Sequence, residues 1–98
     1  MTTKTRTPEE IYAEIKELNA QDRAAAAEPD SAPYWREAAA RADQKRDLWR
    51  TLGDACDDNV TPWARAAAYY TADGYSDRAE QYRQFARQTE ALRKQAGA

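Results

Sequence analysis

The four prolines stand at positions 8, 29, 33 and 62, and each falls where a helical pattern begins or ends. Proline is tolerated in the first turn of a helix, where its missing N–H has no partner to lose, and it keeps the preceding residue out of helical angles. Thr7-Pro8-Glu9-Glu10 therefore opens a helix: a cap residue, proline at the first position and Glu at the third. Ile11, Ile15 and Leu18 continue it as one apolar stripe, with Tyr12 at its border, until Pro29 stops it. Asp30 or Ser31 caps a second helix that carries Pro33 in its first turn. Thr61-Pro62 opens a third by the same logic.

Glycine supplies the remaining boundaries. Gly53 reads as the end of the second helix, because Asp54, Asp57 and Asp58 sit badly at the negative end of a helix dipole and well in a loop. Gly74 reads as the terminator of the third, with Ser76 or Asp77 starting a fourth that closes on Arg93, Lys94 and Gly97. The pattern predicts a polar arm over residues 1–6 and one helical domain over 7–98, with helices at about 8–28, 32–53, 62–73 and 76–96. The predicted inner faces are Trp35, Ala39, Ala42, Trp49 and Leu52 on the second helix, and Trp63, Ala67 and Tyr70 on the third. On the fourth they are Ala79, Tyr82, Phe85, Ala86 and Leu92. No alternating strand pattern competes. The fold class is all-α, as a small four-helix bundle or stacked helical hairpins with short loops.

Core material is scarce, and this limits how such helices can pack. Alanine supplies 22 of the 98 residues, whereas Leu, Ile, Val and Phe together supply eight. So small a share of large aliphatics approaches the composition of disordered chains, but the net charge of −2 does not. Alanine and arginine favour helix, and ten aromatic residues supply large areas to bury. The surplus left for stability is thin, which keeps self-association open.

The chain has no histidine, which removes Ser-His and Cys-His pairs and the usual neutral-pH proton shuttle. Its single cysteine, Cys56, excludes an internal disulfide and a zinc site of ordinary composition, and reads as a small buried hydrophobe. The acidic group Asp54, Asp57, Asp58 and Asn59 lacks the spacing of a calcium loop, and no glycine-rich phosphate loop occurs. No enzyme activity, cofactor or metal is expected. A near-neutral balance, from −3 over residues 1–30 to +2 over residues 61–98, is also not the basic footprint of a nucleic-acid-binding domain. Nothing at the polar N-terminus resembles a secretory signal and no apolar run approaches a membrane span, so a cytoplasmic location is expected.

The segment Thr61 to Ala91 resembles a tetratricopeptide repeat, a helical hairpin with Trp early and Gly at the turn. Trp63, Ala67, Tyr70, Gly74, Ala79 and Ala86 fall on that family's small or aromatic positions, and Trp49-x-x-Leu52-Gly53-x-x-Cys56 is similar to its first-helix signature. The resemblance covers about a third of the chain. It implies a helix-turn-helix hairpin and the binding of peptides or protein surfaces.

The residues available for contact are aromatic, arginine and acidic. Tyr34 and Tyr69 fall off the inner stripes, Arg83 and Arg87 line up with Lys94 on the last helix, and Asp57 and Asp58 form an acidic corner. Aromatic and Arg side chains dominate interface hot spots. The expected function is a non-enzymatic protein-interaction module that occupies a surface of a larger protein or complex, as an inhibitor or adaptor. An Ala-, Arg- and Asp-rich composition suits a bacterial or phage source. Two alternatives stay open: a nucleic-acid-associated regulator using the Arg stripe, and a structural homo-oligomer.

Overall fold

The computed structural model describes residues 6–26, 31–56 and 62–97. It is all-helical among those residues, with three helices where four are predicted: α1 over Pro8–Ala25, α2 over Ala32–Asp54 and α3 over Pro62–Ala96. Two of the caps read from sequence form, at Thr7 and Ser31, while the expected cap at Thr61 lies outside the described residues. The Thr7 hydroxyl accepts the Glu10 N–H at 3.2 Å, the Glu10 carboxylate returns to the Thr7 N–H, and the Ser31 hydroxyl accepts the Tyr34 N–H at 3.1 Å. The acidic Glu9 and Glu10 lie in the first turn of α1, where its dipole favours them. The expected stop at Pro29 lies outside the described residues.

The main correction is at Gly74. It does not end a helix: α3 runs through it for 35 residues, with no described glycine at positive φ. Reading straight through Gly74 shows why. Arg65, Ala68, Ala72, Tyr75, Ala79, Tyr82 and Ala86 are alternately three and four residues apart, and all are buried or half-buried. That unbroken seam packs along α2, and its burial offsets the ~1 kcal/mol by which a helical glycine is worse than alanine. The bundle or stacked hairpins of the prediction, and the helix-turn-helix implied by the repeat resemblance, are thus replaced by one long helix.

α2 is the shared element. α3 returns antiparallel along it: Trp35 meets Tyr82 and Phe85 with ring centroids 5.6 and 4.9 Å apart, Asp43 pairs with Arg83, and Arg36 pairs with Glu90 at 2.9 Å. At the other end, a Cβ on Gly53 would meet the Tyr69 ring at 2.8 Å, so the ring of α3 packs directly on the glycine of α2. α1 lies antiparallel on α2, with Tyr12 edge-on to Trp49 at 6.3 Å and Asp22 bridging Arg41 and Lys45. Among the described residues, no α-carbon of α1 comes within 8 Å of one in α3.

The two seams differ in material. Ile11, Ile15, Leu18 and Leu48, with Trp49 and Leu52 against them, form the aliphatic cluster between α1 and α2. The α3 seam is built on Ala68, Ala72, Ala79 and Ala86, all buried, with half-buried tyrosines between them. Alanine permits close approach but buries little area, so each turn of this seam contributes modestly.

Several predicted core positions are not core. Trp63 and Tyr70 are 76% and 83% exposed, and Ala67 is exposed with them. Phe85 is 40% exposed and Leu92 66%. Cys56 is half-buried rather than buried, its Sγ–H donated to the Leu52 carbonyl at 3.3 Å.

Candidate protein-contact surface

Trp63, Ala67, Tyr70 and Gly74 are spaced four, three and four residues apart, so they share one side of α3. The predicted stripe exists but points to solvent, because the seam from Arg65 to Ala86 takes the opposite side for α2. This outward face is nearly without charge. From Trp63 to Ala72 the only charged residue is Arg65, and its guanidinium donates to the Gly53 carbonyl at 3.2 Å and the Cys56 carbonyl at 2.8 Å. Arg65 thereby ties α3 to the C-terminal end of α2, sharing the Gly53 carbonyl with the Cys56 N–H and placing its positive charge at the negative end of the helix dipole. Beside Tyr70, a shallow depression of about 200 Å³ is floored by Thr71, Gly74 and Tyr75 and edged by Arg78. Beyond Gly74 the same side becomes polar, through Asp77, Gln81 and Gln88.

A second concavity lies further along α3. Arg36 from α2 and Arg83, Ala86, Arg87, Glu90 and Lys94 from α3 line a groove of about 430 Å³. Its cations are largely spent within the protein: Arg83 on Asp43 and Glu80, Arg87 on Glu80 at 3.5 Å, and Arg36 on Glu90. Arg36 holds the Glu90 carboxyl below the usual range, with Lys94 and Arg93 adding to the effect. Lys94 has no ion-pair partner among the described residues.

The predicted contact residues do not converge. Tyr34 is half-buried and packs edge-on against Trp35 at 4.8 Å, as part of the α2 start. Tyr69 lies against Gly53 and donates its hydroxyl to Asp54, which makes it a link between α2 and α3. Arg83 is likewise an inter-helix tie, whereas Arg87 lies exposed at the groove. Asp57 and Asp58 lie outside the described residues. Trp63 and Tyr70, expected inside, lie outside, and the roles of Arg36 and Arg65 carry no local sequence signal. The seven-residue recurrence of Ala72, Ala79 and Ala86 is the signal that would have found the face, because it sets the inner side of α3 and leaves Trp63 and Tyr70 opposite.

No described helix is long and apolar enough to cross a membrane, and no cluster of three potential metal ligands occurs among the described residues. No protein-family model, curated protein or solved structure matches the chain.

Proposed function

We propose that this chain is a non-enzymatic protein-interaction module, an inhibitor or adaptor that engages a larger protein through the outward face of the first half of α3. The observation that carries this reading is the exposure of Trp63 and Tyr70, 76% and 83%, on an uncharged helical face. A ring left in water forgoes the burial that makes it valuable, and contiguous exposed apolar surface marks interaction sites. A helix that presents anchors at spacings of three and four residues suits docking into an apolar groove. The Arg stripe supports the nucleic-acid alternative poorly, since Arg83 and Arg87 face carboxylates already, and phosphate contacts need free cations. The test is affinity capture from host lysate with wild type and a Trp63→Ala/Tyr70→Ala chain. A stoichiometric protein lost with the two rings is the expected result. Equal capture by both chains, or capture of nucleic acid alone, rejects the reading.

A further inference from the structure

We infer that the groove between the start of α2 and the last third of α3 is a second docking site, which takes an acidic amphipathic helix of a partner protein, with two carboxylates two turns apart and an apolar residue between them. The site shares no residue with the outward face of α3 and goes beyond the reading of that face.

α1 leaves this groove uncovered. Arg36 and Asp43 share a side of α2, and it is not the side of Arg41, Lys45 and Trp49 that α1 occupies. Past the pair of Arg36 with Glu90, α3 continues to Ala96. The concavity measures about 430 Å³, with Ala86 and Ala91 in its lining. Neither alanine is long enough to hold a neighbouring helix away.

Charge selects the occupant. The lining holds four cations, Arg36, Arg83, Arg87 and Lys94, and one carboxylate, Glu90. Arg83 is taken by Asp43 and Arg36 by Glu90. Arg87 and Lys94 are not satisfied in that way. The Arg87 side chain is 63% exposed and reaches Glu80 at 3.5 Å, long for an arginine–carboxylate bond of about 2.8 Å. Glu80 is shared with Arg83. Lys94 has no ion-pair partner among the described residues. The Glu90 carboxyl, held below its usual range first by Arg36 and then by Lys94 and Arg93, registers the same positive surroundings.

Spacing sets the form of the partner. Arg87, Ala91 and Lys94 are four and three residues apart and share one stripe of α3. The two cations are therefore about 10 Å apart along the axis. Carboxylates at positions i and i+7 of a partner helix repeat that interval, and the residue between them falls over Ala91. A row of phosphates matches it less well. A duplex carries a charge every ~1.7 Å, which sets phosphates against Glu80 and Glu90 as well as against the cations.

The test is fluorescence anisotropy with the full chain and a labelled alanine- and glutamine-based helical peptide carrying two glutamates seven residues apart and one leucine between them. The comparisons are the same peptide with glutamine for both glutamates, and a 20-base-pair DNA duplex. The acidic peptide is expected to bind with a dissociation constant on the order of 10–100 μM at about 50 mM salt, and several-fold more weakly at about 200 mM. The glutamine peptide is expected to bind at least about tenfold more weakly. Arg87→Gln/Lys94→Gln is expected to weaken the acidic peptide by about tenfold with helicity kept in circular dichroism, because both side chains stand at the surface. Lys94→Glu is expected to lose the acidic peptide and to regain a peptide with lysine for the facing glutamate. Trp63→Ala/Tyr70→Ala is expected to leave binding within about twofold. No binding at about 1 mM chain, equal binding of the two peptides, indifference to Arg87→Gln/Lys94→Gln, or tighter binding of the duplex overturns the inference. None of these results bears on the outward face, whose own test is the loss of a captured protein with Trp63 and Tyr70.

Discussion

At the scale of single residues, several of the contacts that tie the helices together are polar and join positions far apart in sequence. Arg65 is one. Replacing it with Met keeps the apolar stem and removes the guanidinium from the Gly53 and Cys56 carbonyls. The expected loss is about 1–2 kcal/mol in urea unfolding. Lys45 is another. It is buried at 6% exposure, donates to Asn19 at 2.9 Å and to Asp22, and lies 5.0 Å from the Tyr75 ring centroid. Asp22→Ala is expected to cost about 1–3 kcal/mol, more than Lys45→Met, because it leaves a buried ammonium with one carboxylate fewer while the Met variant removes the charge and fills the space. The opposite order in thermal unfolding would show that the ammonium is solvated. The end caps were legible because their chemistry is local: Thr7 and Glu10 are three residues apart in any helix that starts there. Arg65 and Lys45 were not, because their partners are 9 to 26 residues away and meet them only through tertiary packing.

At the scale of elements, the first two helices followed from punctuation and the third did not. Pro8, Ser31 and the apolar stripe Ile11, Ile15 and Leu18 fix α1 and the start of α2 with little help from the rest of the chain. At Gly74 two signals compete. Local propensity favours a stop; the seam from Arg65 to Ala86 favours continuation, and burial along α2 decides it. The same misplaced boundary turned the stripe of Trp63, Ala67 and Tyr70 inward on paper, since spacing shows that residues share a side but not which side meets a neighbour. A Cβ at Gly74 would meet nothing within 4 Å. Gly74→Ala is therefore expected to stabilise the protein by about 0.5–1 kcal/mol in denaturant unfolding. A helix that ended there on a left-handed glycine would instead lose stability by a comparable or larger amount.

At the scale of the whole molecule, three helices arranged with α2 in the middle make an elongated body, 60 × 28 × 26 Å. Such a shape places most of its few large aliphatics between α1 and α2, leaves α3 held by alanines, the Trp35 ring and inter-helix ion pairs, and keeps the rings of Trp63 and Tyr70 largely in solvent. The all-helical class and the lack of a nucleophile–histidine pair were readable from composition; the surface was not, because it is defined by which side of α3 the rest of the protein fails to cover. The contact face exists only if Trp63 stands outside the core. The most direct measurement is urea unfolding of Trp63→Ala beside wild type, at a protein concentration where both are monomeric. An exposed ring is expected to leave stability unchanged within about 0.5 kcal/mol. A loss of about 3–5 kcal/mol, the cost of removing a core tryptophan, would place Trp63 inside and contradict the contact face.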